Sequence, residues 1–276
     1  MLKRVLILVF VLSLALASQA LAGEQALTID GDHGKLAAIL QVPDGKESYP
    51  IVIICHGFTS QKEYLLLKTL ADDLEVEGIA SLRFDFNGHG ASGGRFEDMT
   101  VVNELSDAKK VFEYIKNNLK QVNQIALAGH SQGGVIASMT AGDLAGEIKA
   151  LVLLAPAAVL KDDAIRGVNI FGVNINPLDV PEAVEIMGGN LKMGREYILT
   201  ARTLQIYETA RKFKNPVCLI HGTADTIVPY TYSQNYHEIY ANSELNLIDG
   251  WDHGFNNHES EAAKIAANFF AKVLLK

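Results

Sequence analysis

Strand-type apolar runs alternate with helix-type apolar stripes along most of this 276-residue chain. Ile51–Cys55 is a continuous apolar run, and leucines between Leu66 and Leu74 then recur at helical spacing until Gly78. The same alternation returns in strand-like runs at Ile79–Phe86, Ile125–Ala128, Ile148–Ala155, Val217–Ile220 and Leu245–Ile248, and in helical stripes within 105–119, 135–141, 230–240 and 262–273. Continuous apolar runs are typical of strands that are buried on both faces. The pattern therefore predicts an α/β fold with a mostly parallel central sheet and helices on both faces.

Two shorter segments precede this alternation. In Gln25–Ile29 and Lys35–Val42, apolar and polar residues alternate, and the turn-forming residues Gly31–Gly34 separate the two segments. This arrangement predicts an antiparallel hairpin at the edge of the sheet.

The alternation stops at Pro156. From Ala157 to about Tyr207 the chain has no apolar run of strand length and is interrupted by several glycines and prolines. This stretch also contains too many apolar residues for a disordered segment. We therefore expect one α/β domain over 23–276, with a cap inserted at about 157–207.

The first residues have the layout of a secretory signal peptide. Lys3 and Arg4 precede the apolar stretch Val5–Ala17, and Ala20–Ala22 then supplies small residues suited to cleavage. A membrane anchor is the alternative, but thirteen residues fall short of the ~20 that span a bilayer. We expect residues 1–22 to be removed and the protein to be periplasmic or secreted.

The net charge excludes some classes of partner, and the positions of the cysteines predict that both are free. Removing the signal segment takes the formal net charge from −8 to −10, because that segment carries two basic residues and no acidic ones. An acidic chain without basic runs argues against nucleic acid as a partner and against stable membrane insertion of the mature protein. Cys55 and Cys218, the two cysteines, both lie in apolar strand-like runs and are expected to be buried free thiols. Sequence does not predict the oligomeric state.

One motif points to nucleophilic catalysis. The segment Gly129–Gly134 follows the strand-like run Ile125–Ala128 and precedes a helix, and it contains the pattern G-x-S-x-G around Ser131. Such a turn exposes the serine hydroxyl above the sheet, and side chains at Gly129 and Gly133 would collide with the neighbouring strand and helix. A glycine-rich turn with an inert serine is the alternative.

A serine nucleophile needs a base and an acid that orients the base. Asp225 follows the strand-like run Val217–Ile220, and His253 follows the next one, which is the chain order expected for such a triad. Asp225 could otherwise cap a helix, and His253 could be an ordinary loop histidine. Asp252 is a competing acid, but it adjoins His253 in sequence and would have difficulty reaching the imidazole.

Two backbone amides are candidates for an oxyanion hole, which a tetrahedral intermediate requires. Gln132 follows the serine at a predicted helix N-terminus, and Phe58 lies in the turn after Ile51–Cys55. His56, in the same turn, is expected to be structural. The segment Gly88–Gly93 matches a dinucleotide-binding pattern, but no helix follows it directly, so we predict a tight loop there. His221, His237 and His258 lack the spacing of metal ligands and are expected to be structural or exposed. We expect neither a metal nor another cofactor.

Four motifs together resemble those of a known family: HGF at 56–58, GHSQGG at 129–134, HGTADTIVP at 221–229 and DHGF at 252–255. They resemble α/β-hydrolase serine esterases and, among these, the bacterial cinnamoyl (feruloyl) esterases. The resemblance implies an α/β-hydrolase fold, no cofactor, and a cap whose Asp163 and Tyr197 bind the ring hydroxyl of a phenolic acyl group. Near Phe171, where the family implies an amide side chain, this chain has apolar residues.

The expected function is hydrolysis of carboxylic esters through an acyl-enzyme on Ser131. The resemblance implies hydroxycinnamoyl esters of plant cell-wall polysaccharides as substrates, and the expected partner is a small-molecule or polysaccharide-linked ester. One alternative is a generic short-acyl or lipid carboxylesterase, or an acyl-peptide hydrolase. A binding module on an inactive hydrolase fold is the alternative from another class, and the complete set of triad residues argues against it.

Overall fold

The computed structural model describes residues 23–276, and the expected signal segment 1–22 lies outside the described residues. The strands are β1 (Gly23–Asp30), β2 (Lys35–Val42), β3 (Tyr49–Cys55), β4 (Ala80–Phe84), β5 (Val122–His130), β6 (Ile148–Leu154), β7 (Ala183–Ile186), β8 (Leu191–Gly194), β9 (Val217–Gly222) and β10 (Ser243–Ile248). The α-helices are α1 (Leu65–Val76), α2 (Val101–Asn118), α3 (Gln132–Asp143), α4 (Val159–Arg166), α5 (Arg195–Ala201), α6 (Ile206–Ala210), α7 (Thr231–Ile239) and α8 (Glu259–Leu274).

Eight of these strands form one sheet in the order β1-β2-β4-β3-β5-β6-β9-β10. The edge hairpin predicted from the alternating segments is present as β1 and β2, and β2 pairs antiparallel with β4. In the rest of this sheet, β4, β3, β5, β6, β9 and β10 each pair in parallel with the next strand in the order. The carboxyl ends of those six strands therefore meet at one edge of the sheet, where open α/β sheets place their ligands.

Helices cover both faces of the sheet. Helices α1 and α8 pack on one face, and α2, α3, α6 and α7 pack on the other, so two apolar cores form with the sheet between them. The predicted α/β fold with a mostly parallel sheet is confirmed. The cysteines on β3 and β9 are buried and unbonded, and β5 and β6 separate their strands. Three strand spacings of ~4.8 Å exceed the reach of a disulfide.

Residues 157–207, which we call the insert, connect β6 to the segment before β9. Besides α4 and α5 it contains a short antiparallel ribbon of β7 and β8, in which Val184 pairs with Met193. Sequence analysis predicted no strand in this stretch. Each ribbon strand has only four residues, which is too short for an alternating pattern to stand out, and the ribbon forms because each strand hydrogen-bonds to the other.

No helix within residues 23–276 combines the length and the apolar character needed to cross a membrane.

Candidate active site

Ser131 lies at the sharp turn between β5 and α3. Its backbone has φ 56° and ψ −123°, a strained conformation that is rare for a residue with a side chain. A Cβ on Gly129 would lie 2.1 Å from the carbonyl oxygen of Gly133, and one on Gly133 would lie 2.3 Å from the carbonyl oxygens of Cys55 and His56. Gly129 is therefore required for the close approach of α3 to β5, and Gly133 for its approach to β3, as the motif predicted.

The loops after β9 and β10 contact each other beside this turn. A Cβ on Gly222 would lie 2.0 Å from the carbonyl oxygen of Trp251, which shows how closely the two backbones approach. The Ala224 amide donates a hydrogen bond of 3.0 Å to the same oxygen. This contact brings the loop that carries Asp225 against the loop that carries His253.

The structure brings Ser131, His253 and Asp225 into one chain of hydrogen bonds. His253 Nε2 is 2.9 Å from Ser131 Oγ, and His253 Nδ1 is 2.7 Å from Asp225 Oδ2. Asp252, the competing acid, instead accepts hydrogen bonds from the backbone and side-chain amides of Asn256. Sequence adjacency keeps Asp252 away from the imidazole, because neighbouring residues in a loop point in different directions.

Asp225 is held in its ionised form. Its burial alone would raise its pKa, but hydrogen bonds from His221 and His253 and from the Val228 amide outweigh that cost and hold the pKa well below its ordinary value. The carboxylate can therefore accept the Nδ1 proton of His253, which leaves Nε2 free to accept a proton from Ser131.

Three supporting side chains were not identified from the sequence. His221, interpreted only as structural or exposed, is buried and contacts Asp225 Oδ2 at 3.0 Å through Nε2. His130 Nε2 donates to the His253 carbonyl oxygen at 2.9 Å, and Tyr64 donates to the next carbonyl, that of Gly254, at 2.8 Å. Burial lowers the pKa of His130 to about 3, so its ring is neutral. His130 and Tyr64 contact a loop that lies 123 and 190 residues further along the chain, so no local sequence signal distinguishes them. His221 is only four residues from Asp225, but the sequence does not show that its ring contacts that carboxylate.

The two predicted oxyanion-hole amides both lie next to Ser131. Phe58 and Gln132 line the same cavity as the serine, and neither backbone amide donates a hydrogen bond to any atom of residues 23–276. The Gln132 amide is also the first of α3, where the helix dipole favours negative charge. His56, in contrast, accepts a hydrogen bond from the Phe86 amide through Nε2 and is structural, as predicted.

A cavity of about 440 Å³ lies between the insert and the sheet and opens onto Ser131. Its walls are largely apolar, and within them Phe171 of the insert stacks on Phe58, with ring centroids 3.5 Å apart. Asp163 and Tyr197, the two residues singled out for binding a ring hydroxyl, both line this cavity. Asn169 lines it too, so an amide residue is present in the wall two residues before Phe171, where sequence comparison had indicated only apolar residues.

The hydrogen bonding of Tyr197 differs from the expectation that its hydroxyl binds the ring hydroxyl of a ligand. Its hydroxyl donates a hydrogen bond of 2.5 Å to Oε1 of Gln132, so its proton is already used and only its lone pairs are available to a ligand. Asp163 accepts a 3.2 Å hydrogen bond from Arg166, and burial raises its pKa above the ordinary value. Of the two, Asp163 is the stronger acceptor for a ligand hydroxyl.

A second cavity, of about 620 Å³, meets the first at Ser131 and His253. Its walls are more polar than those of the first. The residues that line it beyond the shared ones include Ser60, Gln61, Tyr64 and His130. The serine hydroxyl therefore lies between an apolar cavity under the insert and a polar cleft beside it.

Glu104 of α2 lies beneath the serine turn and is buried without a cationic partner in hydrogen-bond contact among residues 23–276. Burial raises its pKa from the ordinary value of 4.5 to about 8. Between pH 4.5 and about pH 8, Glu104 therefore holds a proton in the folded protein that it has released in the unfolded chain. The free energy of unfolding falls as the pH rises through this range.

Glu104→Gln has no proton to lose. We expect its free energy of unfolding to increase relative to that of the wild type as the pH rises from about 4.5 to about 8. Denaturant unfolding at pH 5 and pH 8.5 measures the difference, and an equal difference at both pH values would contradict a neutral Glu104.

Together these groups can carry out acyl transfer. A hydroxyl in contact with an imidazole, an ionised carboxylate on the other ring nitrogen, and two free amides beside the hydroxyl are the parts that nucleophilic hydrolysis of an ester needs.

Comparisons with known proteins agree with this geometry. Residues 46–175 match the family described as serine aminopeptidase, S33 (Hydrolase_4). Est1E from Butyrivibrio proteoclasticus, solved with ferulic acid bound, superposes with a TM-score of 0.87 at 34% identity, covering 91% of this chain and 100% of that one. The protein named "Putative esterase YitV" of Bacillus subtilis is 30% identical over 217 residues, which is 72% of this chain and 78% of that protein.

An Escherichia coli protein described as an uncharacterized 31.7 kDa protein in the traX-finO intergenic region is 31% identical over 100 residues. That match spans 36% of this chain and about a third (35%) of that protein.

Proposed function

Given that the chain belongs to the α/β-hydrolase serine esterases, we propose that it hydrolyses hydroxycinnamoyl esters, such as feruloyl esters of plant cell-wall polysaccharides. The observation that carries this proposal is the cavity under the insert, whose apolar walls and stacked rings suit an aromatic acyl group and whose Asp163 suits a ring hydroxyl. Est1E, which is similar over its whole length, has been solved with ferulic acid.

The proposed reaction has two steps. Ser131 Oγ forms a bond to the ester carbonyl carbon while its proton passes to His253 Nε2, and the amides of Phe58 and Gln132 stabilise the oxyanion. His253 then donates the proton to the alcohol oxygen as the C–O bond breaks, leaving an acyl-enzyme. Water, deprotonated by His253, attacks the acyl carbon, and His253 returns that proton to Ser131 Oγ as the bond between the acyl carbon and Oγ breaks. This releases the acid and free Ser131. Asp225 stabilises the imidazolium in both steps.

The polar cleft on the other side of Ser131 is assigned to the alcohol part of the ester. It contains His253, which protonates the leaving oxygen, and hydroxyl and amide side chains such as Ser60 and Gln61. Such groups with an aromatic ring nearby, here Tyr64, are suited to the hydroxyls and CH faces of a sugar. This supports a saccharide ester over one whose alcohol is a long aliphatic chain.

A matched substrate series tests the proposal. Methyl ferulate and methyl cinnamate differ at the ring, and p-nitrophenyl esters of rising acyl length test the alternative of a generic short-acyl or lipid carboxylesterase. We expect the highest kcat/KM among the methyl esters for methyl ferulate. A kcat/KM that rises steadily with aliphatic acyl length, together with no hydrolysis of methyl ferulate, would favour the alternative.

Asp163 should determine the preference for a ring hydroxyl. Asp163→Leu removes a hydrogen bond to a charged group, worth about 1.5–3 kcal/mol, so kcat/KM for methyl ferulate should fall roughly tenfold or more. Hydrolysis of methyl cinnamate and p-nitrophenyl acetate should change little, because neither acyl group carries a ring hydroxyl. Asp162→Leu, at the exposed neighbouring position outside the cavity wall, is the matched control. An equal loss on all three substrates would remove the reason for preferring feruloyl esters.

We also propose that the protein acts outside the cytoplasm, in the periplasm or after secretion. The support is the charged, apolar and small-residue pattern of residues 1–22. The intact mass of the exported protein should correspond to a chain that begins at Gly23, and a mass that includes residues 1–22 would contradict removal of this segment.

A further inference from the structure

Gln132 connects the serine turn to two distant elements through its side chain. Nε2 donates a hydrogen bond of 2.7 Å to Oε2 of Glu104 on α2, and Oε1 accepts the 2.5 Å hydrogen bond from Tyr197 on α5 of the insert. All three side chains are almost fully buried, each with 1% exposure. We call this set the Gln132 network.

Glu104 is a costly residue at this position if it serves only to fill space. A buried carboxyl must lose its hydration, and an apolar side chain of similar size would fill the volume without that cost. His89 Nδ1 lies 4.0 Å away, but it is already 3.2 Å from the Asn87 carbonyl oxygen. The principal interaction of Glu104 is therefore with Gln132, and the burial that raises its pKa leaves the carboxyl neutral and able to accept from the amide at neutral pH.

The backbone of Gln132 is the part that matters for the reaction. Its amide is a proposed oxyanion donor, and it follows Ser131, whose φ of 56° shows that the turn is under strain. A strained peptide keeps its orientation only when the surroundings hold it. Because both polar ends of the Gln132 side chain are bonded to separate elements, the side chain cannot rotate, and the amide direction is held with it.

We propose that Glu104 is a positioning residue for the esterase reaction: through Gln132 it holds the oxyanion-hole amide in place, and the bond of Tyr197 to the same Gln132 couples that amide to the wall of the cavity under the insert. This inference rests on the proposed function for its ester substrates, but it concerns a step that all serine-esterase substrates share. Loss of Glu104 leaves Nε2 of Gln132 with only a weak contact to Met99 Sδ at 3.9 Å.

Two variants of similar shape test the role. Glu104→Met removes the acceptor, and Glu104→Gln keeps one. We expect kcat of Glu104→Met to fall roughly ten- to a hundredfold, less than the 10²–10³-fold loss on removing a donor outright, on both methyl ferulate and p-nitrophenyl acetate, with KM for p-nitrophenyl acetate little changed. Glu104→Gln should retain kcat within about threefold. Glu113→Met, on the exposed side of the same helix, is the control.

A probe that needs no ester substrate separates this inference from the proposed function. Diethyl p-nitrophenyl phosphate phosphorylates an active serine with loss of p-nitrophenolate, and its phosphoryl oxygen uses the same oxyanion donors. Its rate constant should fall in Glu104→Met as kcat does, even if methyl ferulate is not a substrate. Tyr197→Phe should also slow this reaction, because it removes the other hydrogen bond to Gln132.

Three results would overturn the inference. The first is a change in KM alone, which would make Glu104 part of the cavity wall only. The second is equal kcat loss in Glu104→Met and Glu104→Gln, and the third is an unchanged phosphorylation rate in Glu104→Met. If Glu104→Met does not fold, an unchanged phosphorylation rate in Tyr197→Phe would overturn the inference instead.

Discussion

Ser131→Ala is expected to lower kcat for ester hydrolysis by about a million-fold, because within residues 23–276 Ser131 Oγ is the hydroxyl that contacts the base, His253 Nε2. The Ser131 hydroxyl makes one side-chain hydrogen bond within residues 23–276, to His253 Nε2, so alanine leaves no buried group without a partner. The variant should therefore keep its fold.

Hydrolysis of p-nitrophenyl acetate by the purified variant measures the loss, and circular dichroism and the thermal midpoint measure the fold. Ser106→Ala, at a serine that lines neither cavity, is the control and should retain wild-type activity. Activity above a few per cent of the wild type in Ser131→Ala would show that another residue is the nucleophile.

Asp225→Asn is expected to lower kcat by about ten thousandfold. In the wild type, Asp225 Oδ2 accepts from His253 Nδ1, and Oδ1 accepts from the amides of Ile227 and Val228. An asparagine must point its NH₂ group at one of these two sets of donors. If it points at the imidazole, Nδ1 becomes an acceptor, and the proton then occupies the Nε2 position that must receive the proton of Ser131.

Asp252→Asn provides the matched control, because it makes the same chemical change at the adjacent residue of His253. Asp252 bonds Asn256 at the protein surface, so its amide variant should retain activity within about threefold. A larger loss in Asp252→Asn than in Asp225→Asn would reverse the assignment of the acid. Both variants are measured with p-nitrophenyl acetate at pH 7 so that the acyl preference does not affect the comparison.

The two expected losses differ because the residues act at different points. Ser131 forms the bond to the acyl carbon, whereas Asp225 selects the tautomer of His253 and stabilises its charge. Neither loss depends on the ring of the acyl group, so both variants test the esterase chemistry and leave the proposed feruloyl preference to Asp163.

Sequence alone determined the local parts of this molecule. Runs such as Ile51–Cys55 are apolar at every position, because a strand between two helical layers has no face toward water. The turn at Ser131 was recognisable because only glycine fits at positions 129 and 133, where the backbone of α3 approaches β5 and β3. The order of Asp225 and His253 along the chain also predicted their meeting, since parallel strands end at the same edge of the sheet.

Tertiary structure decided the interactions between residues that are far apart in the chain. Gln132 lies 28 residues from Glu104 and 65 from Tyr197, and neither spacing leaves a pattern in the sequence. The contact of His130 with the His253 carbonyl spans 123 residues. The ribbon in the insert escaped prediction for a related reason, because strands of four residues are stabilised by their partner more than by their own composition.

The cavity under the insert also shows which properties follow from the sequence and which follow from tertiary packing. Resemblance in sequence singled out Asp163 and Tyr197, and both line the cavity, but only the folded chain shows that the Tyr197 proton is donated to Gln132. A hydroxyl can donate once, so its role depends on which acceptor is nearest in space. Chemical type and order are properties of the sequence, whereas the partner of each polar group is decided by packing, which brings together atoms from separate elements.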